Sequence, residues 1–426
     1  MASKDTTRPR ALTREAVLAS VGALLVFYSV TVIAYSLPFV GQALFETQDR
    51  VQAALSTLAL VAGGYLAKPL AQAVVGPYAD RHGRKPVLAG ASLLAALTAL
   101  LFAVLPDESA IGLAAPILFT ALTVLQATAA GAEWPMLAAY VAESTPATRR
   151  GFATSFASFN ILLGWSLALA VSLVLDTVLT ESQYSDWGWR VAFLPAVGLG
   201  VLSFILRRRL PESDLFSRAR DAGELSPSPL RELFATRWRT WLAVTLHVGM
   251  ISAAFYLTVA YPATFITLED KFTHVEALSA SLLGLAALVA GVCAGGALAD
   301  RFGPRPVSAA GYVVMGALAV PAYALMSDGS VPLALLGVVL VAAPLSLSAG
   351  VYEAWLMSSF RTRFTGAATT SNGVAIAVFG APSLLIATLL VRDQGELAPA
   401  FLLVAVGILG ALSTLLLRRS IHDPLA

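Results

Sequence analysis

Apolar residues run through this chain in long blocks, with the charges gathered between them. A helix needs about 20 apolar residues to cross the hydrocarbon core of a bilayer, and blocks of that length recur from end to end. Ala16–Phe45 carries no charge, Val51–Ala79 only Lys68, and Pro86–Pro106 none; Ser109–Pro146 contains Glu133 and Glu143, while Gly151–Leu175 and Val191–Leu206 are uncharged. A charged stretch, Arg207–Arg239, follows. Beyond it lie Thr240–Leu268, Ala277–Ala299, Pro306–Ser327, Gly329–Arg361 (broken only by Glu353), Phe364–Val391 and Leu397–Leu417. The pattern predicts an all-α polytopic membrane protein of about twelve helices. Its expected parts are an N-terminal segment (1–15), a first six-helix half (16–206), a central loop (207–239), a second six-helix half (240–417) and a tail (418–426). The first block is too long for a signal peptide and shows no small-residue cleavage site, so it is expected to stay in the mature protein.

Charge placement orients this array. With both termini inside, the inner segments hold 23 of the 28 Lys and Arg, the outer segments four (Arg50, Arg190, Lys271, Arg392), and Lys68 lies within a block. An excess of Lys and Arg on one side marks the cytoplasmic side. Composition agrees: 57% of the 426 residues are hydrophobic and only 13% charged, against about 25% in soluble domains. A cytosolic enzyme and a disordered chain are excluded, and a net charge of +2 gives no field for nucleic acid. Cys293 is the only cysteine, so no internal disulfide forms, and a Cys/His metal cluster is unsupported. No phosphate-cradling Gly-x-x-x-x-Gly-Lys-Ser/Thr loop is present, and no cofactor is expected.

The two halves repeat. Gly76-Pro-Tyr-Ala-Asp80-Arg81-His-Gly83-Arg84-Lys85-Pro86-Val87 recurs as Gly296-Ala-Leu-Ala-Asp300-Arg301-Phe-Gly303-Pro304-Arg305-Pro306-Val307, identical at seven of twelve positions. Both copies fall between the second and third helix of their half. A weaker echo pairs Arg150-Gly151 with Arg363 and Gly366, each before a fifth helix. Two halves copied about an axis along the membrane normal have this signature. The loop resembles the hallmark of the major facilitator superfamily, which implies that Asp80, Arg81 and Arg84 in one half, Asp300 and Arg301 in the other, and Arg149 and Arg150 beside them form a conformational latch. Pro304 stands where the first copy has Arg84, so the second latch is expected to be the weaker.

A narrower resemblance spans nearly the whole chain. Ala67-Lys68-Pro69-Leu70, Gly131-Ala-Glu133-Trp134, Val141-Ala-Glu143, Arg149-Arg150-Gly151-Phe152, Trp187-Gly188-Trp189-Arg190, Arg208-Arg209-Leu210-Pro211-Glu212 and Ser228-Pro229-Leu230-Arg231-Glu232-Leu233 are similar, in this order, to the metabolite:proton symporters. That resemblance implies uptake of small organic acids, betaines or related metabolites with protons. The first helix departs from it. Where that family reads Gly-Asn-x-x-Glu-Trp-Tyr-Asp-Phe, this chain keeps only Gly22 and Tyr28, with Val26 and Ser29 replacing the acids.

Ionisable groups inside the bilayer are costly and need partners or a wet cavity. Lys68 lies about 18 Å of helix before Asp80, and Glu133 is well inside the fourth helix. They are candidates for an anion anchor and a proton carrier, or for a static pair. Glu353, in the tenth helix, has no opposite charge near it in sequence; such a buried carboxylate takes up a proton, which makes it the other proton-carrier candidate. His247, on the seventh helix, is a candidate relay. Tyr28, Thr31 and Tyr35 recur at i, i+3 and i+7 and are expected to form one wall of the substrate site; Asn160 and Asn372, in the two fifth helices, are candidate contacts or interhelical glue. The expectation is a secondary transporter of a small organic anion or zwitterion, monomeric, in a bacterial inner membrane, working by proton-coupled symport. An exporter or uncoupled facilitator is the alternative. The fifth helix lacks the Gly-Pro-rich signature of drug/proton antiporters; a non-transporting sensor is the less favoured alternative, since no long terminal signalling domain is expected.

Overall fold

The computed structural model describes residues 12–45, 70–223, 229–268, 272–360, 365–417 and 421–423. Twelve long helices follow one another, with no strand among the described residues. They are α1 (Arg14–Phe45), α2 (70–82), α3 (Arg84–Ala103), α4 (Ala114–Glu143), α5 (Arg150–Val178) and α6 (Leu194–Arg208). The second set is α7 (Trp238–Phe255, continued to Leu268), α8 (His274–Phe302), α9 (Pro304–Ser327), α10 (Val331–Ser359), α11 (Thr365–Ala375, continued to Gln394) and α12 (Ala398–Ser413). Among the described residues ten helices are long and apolar enough to cross a membrane, and Ala398–Ser413 is a shorter apolar one. Large apolar side chains such as Val74, Leu97, Ile117 and Phe401 are exposed on the outside of the array, as a lipid-facing surface requires.

Helix boundaries follow local chemistry. Gly83 and Gly303, at φ 106° and 89°, make the turns into α3 and α9, a backbone region that other residues avoid. Thr273 and Glu276 cap α8 reciprocally. Two of these helices are not α-helical throughout, α7 widening into a π turn at Tyr256–Ala260 and α11 at Ile376–Gly380, and a further π turn, Tyr184–Gly188, precedes α6. Such turns frequently mark functional sites.

The central stretch begins later than the charge pattern predicts. The α6 helix runs through Arg208, which puts Arg207 inside the first half, fully buried. Ser213 caps a short helix, Asp214–Asp221, whose Phe216 is buried under the Arg84 guanidinium, 4.8 Å from its ring. Glu212 accepts the backbone N–H groups of Arg84 and Lys85 at 3.1 and 3.2 Å, so the stretch clips onto the start of α3.

The halves meet along α5 and α8, where the Gly151 and Gly296 backbones approach so closely that a methyl group on either would strike the other. Cys293 lies in this seam, its Sγ 3.9 Å from the Ser155 carbonyl. The α2–α3, α4–α5 and α8–α9 turns, the central stretch and the tail share one end of the bundle, the basic face.

Candidate functional site

Between the halves lies a cavity of about 230 Å³, a volume for a small metabolite. It is walled by α1, α4 and α5 from one half and α7, α8, α10 and α11 from the other, including residues of the π turns in α7 and α11. Its surface is mostly apolar and rich in aromatic rings. Trp134, Trp165 and Phe27 pack edge to face, with centroids 5.4–5.8 Å apart; Phe255 sits 4.8 Å from Trp165 and Tyr352 6.0 Å from Trp134. Besides the tyrosine and tryptophan heteroatoms, the polar groups on the wall are Thr31, Thr123, Gln126, Ser158, Ser252 and Asn372. Gln126 is already engaged with Ser29 and Thr98. Asn372 donates to the Tyr352 hydroxyl at 2.9 Å, while its buried Oδ1 has no hydrogen-bond partner among the described residues.

Glu353, next to the lining residue Tyr352, is buried behind the cavity wall on the side of the basic face. The Trp134 indole N–H, from the opposite half, donates to its Oε1 at 2.6 Å. Ser158 adjoins the carboxylate, Oε2 has no hydrogen-bond partner, and no ion pair reaches it among the described residues.

The local sequence explains how Trp134 is presented. Pro135, inside α4, has no N–H, so the carbonyl of Gly131 loses its intrahelical partner. Gln72 of α2 donates to that carbonyl at 3.0 Å. One residue before Trp134, Glu133 points the other way, into the first half. There Arg207 grips it with two N–H groups, one at 2.6 Å to Oε2. The same guanidinium donates to Ser92 at 2.9 Å, to the Leu88 carbonyl at 3.3 Å and to the Ala19 carbonyl. The planar five-donor fork of arginine suits such a bidentate hold.

Several expected site residues stand elsewhere. Glu133 does not face the cavity, because its carboxylate is committed to Arg207. Tyr28 is buried and donates to the Ala192 carbonyl at 2.8 Å; the cavity face of α1 is Phe27, Val30 and Thr31, about one residue round the helix. His247 is buried in the second half, its Nδ1 2.8 Å from Ser413 Oγ, between the rings of Tyr312 and Trp355. Asn160 donates to the Phe156 carbonyl of its own helix and is not among the lining residues. Lys68 and the side chain of Tyr35 lie outside the described residues. Of the expected site residues, Thr31 and Asn372 line the cavity, and Glu353 stands just behind its wall, bonded to the lining residue Trp134.

The latch takes a different form in each half. Arg84 is buried between Asp80 at 3.6 Å and Glu143 at 3.1 Å. Asp300 reaches across the seam, accepting the N–H groups of Gly151 and Phe152 at 2.8 and 2.9 Å, at the start of α5. The copy without the arginine is thus a copy that bridges the halves. Arg150 donates to the carbonyls of Ile421 and Asp423 in the tail, the latter at 2.9 Å, and His422 lies 3.7 Å from Asp300. Arg81, Arg149 and Arg301 are exposed on the basic face. Sequence reasoning missed Arg207, because it opens a charged run, and missed Trp134 as a site residue, although it stands in a quoted motif.

Comparisons with known proteins agree with this geometry. The sequence profile described as Major Facilitator Superfamily matches residues 19–384. A citrate-proton symporter of Klebsiella pneumoniae is 31% identical over 391 residues, covering 89% of this chain and 86% of the relative. A proline/betaine transporter of Escherichia coli K12 is 27% identical over 407 residues, covering 92% and 80%. Among solved structures, the proton:xylose symporter XylE bound to 6-bromo-6-deoxy-D-glucose superposes with a TM-score of 0.76 at 19% identity, covering 94% of each chain. The human organic anion transporter MFSD10 gives 0.70 at 17% identity, covering 96% and 100%.

Proposed function

The chain belongs to the major facilitator superfamily, and from that premise we propose that it is a proton-coupled symporter of a small zwitterion, with Glu353 as the proton site. Membership makes it a multi-pass membrane transporter and not an enzyme. The observation that carries the finer reading is Glu353 itself, a carboxylate buried behind the cavity wall, with no ion pair among the described residues and bonded to Trp134 of the other half. A carboxylate so placed is where a proton binds at least cost, since burial penalises its charged form.

The cavity wall supports the substrate class. Clustered aromatic faces and the open Asn372 Oδ1 both favour a positively charged nitrogen. Relatives named for betaine and proline carry such a nitrogen beside a carboxylate. The second reading is an organic anion, favoured by the likeness to a citrate-proton symporter and requiring a cation such as Lys68. In either case the basic face is cytoplasmic under the positive-inside rule. Each hydrogen bond described between the halves lies toward that face, so this conformation is held shut on the cytoplasmic side, and transport is the rocking of the halves about the cavity.

Proteoliposomes loaded at higher pH than the bath test the reading. Radiolabelled glycine betaine or L-proline is expected to accumulate against its gradient. In Glu353→Gln accumulation is expected to be lost while exchange across equal pH persists. Accumulation by Glu353→Gln at the native level rules out Glu353 as the proton site, and accumulation of citrate alone selects the anion reading.

A further inference from the structure

One side chain belongs both to the substrate cavity and to the proton site. The Trp134 ring is part of the cavity wall, and its N–H is the hydrogen-bond donor to Glu353. The ring is braced on three sides, by Phe27, Trp165 and Tyr352. Its backbone is fixed by the Gln72–Gly131 bond on the turn before it and by the Arg207 grip on Glu133 beside it. The donor and acceptor come from opposite halves of the molecule. We infer that Trp134 is the positioning residue that couples substrate occupancy of the cavity to the proton on Glu353. This rests on the reading of Glu353 as the proton site.

The physical argument has two steps. An indole nitrogen can only donate, so it holds an ionised carboxylate more strongly than a neutral carboxyl, because the charge-assisted bond is roughly twice as strong. Loading a proton therefore weakens this tie between the halves at the cytoplasmic end of the cavity. A ligand that presses on the ring moves the N–H against a fixed Oε1, and hydrogen bonds weaken steeply as they bend. Ligand and proton then loosen the same bond, and by linkage each favours the binding of the other. Other groups around Glu353 do not supply this. From α5 it meets Ser158, from its own helix Tyr352 is held by Asn372 of α11, and the titratable His247 of α7 is turned to Ser413. No ion pair to it is formed from any neighbouring helix among the described residues.

Infrared difference spectroscopy of the reconstituted protein across a pH series reads the C=O stretch of a protonated carboxyl. The band missing from Glu353→Gln is that of Glu353. Trp134→Phe keeps a ring in the wall and removes the N–H. Losing a donor that favours the ionised form makes the proton bind more tightly, so the midpoint of that band is expected about one pH unit higher than in the native protein. Saturating glycine betaine is expected to raise the native midpoint, and to move it less than half as far in Trp134→Phe. Trp134→Leu, which also has no donor, is run beside it in case the first variant does not purify as a monodisperse protein. An unchanged midpoint in these variants overturns the inference and leaves Glu353 as the proton site. A ligand effect undiminished in Trp134→Phe overturns it too. No band sensitive to Glu353→Gln overturns the proton-site reading itself.

Discussion

Glu133 and Glu353 each stand 53 residues after the aspartate of their loop, Asp80 and Asp300, yet their environments have diverged. Glu133 is neutralised by Arg207, with both side chains fully buried, whereas Glu353 accepts the Trp134 N–H and has no ion pair among the described residues. Removing one member of a buried pair strands the other charge, at a cost of about 3–5 kcal/mol. Arg207→Met is therefore expected to lower the unfolding temperature in detergent sharply, and adding Glu133→Leu to recover much of the loss; a native unfolding temperature in the single variant would mean that the pair contributes nothing. Arg207→Lys is expected to rescue poorly, since an ammonium cannot grip both oxygens. That both acids are buried is legible in the sequence, because each interrupts a long apolar block. Their partners are not. Arg207 is 74 residues from Glu133 and reads as the first of a charged run, and only helix packing shows which of two adjacent residues, Phe27 or Tyr28, faces the cavity.

The α4 helix shows what an element adds to its residues. Pro135 opens a gap in its hydrogen-bond ladder, and a side chain from α2 fills it. Gln72→Leu would leave the Gly131 carbonyl buried and unpaired, at a cost of about 1–3 kcal/mol. Pro135→Ala restores the missing N–H, so the double variant is expected to unfold at a higher temperature than Gln72→Leu alone. If Pro135→Ala gives no recovery, Gln72 acts through some contact other than this carbonyl. The helices themselves were legible, since their length and apolar character are set by the bilayer. Their ends were less so. Charge alone assigns Arg207 to the central loop, whereas the buried oxygens of Ala19, Leu88 and Glu133 draw it, and the last turn of α6 with it, into the bundle. The π turns of α7 and α11 leave no composition signal at all.

At the scale of the molecule, the repeat predicted two related halves and the structure places them about a shared cavity. The repeat also showed that the second loop lacks the arginine, at Pro304, but not what that loop does instead. Asp300, without an arginine at the Pro304 position, caps the first turn of α5 in the other half, where an anion is favoured by the helix dipole. The tail adds a strap from Ile421 and Asp423 to Arg150. Asp300→Asn loses a charge-assisted pair of bonds and is expected to let the basic face open more often, roughly tenfold for each 1.4 kcal/mol removed. The seam that must part carries the chain's only thiol. Nature has thus left a single-site chemical clock at the moving joint. The native protein can be followed without engineering, because parting of the seam uncovers more of the half-buried Cys293 thiol and so raises the rate at which a maleimide alkylates it. That rate should rise in Asp300→Asn; an equal rate would place the hinge of the motion, and not its mouth, at α5 and α8.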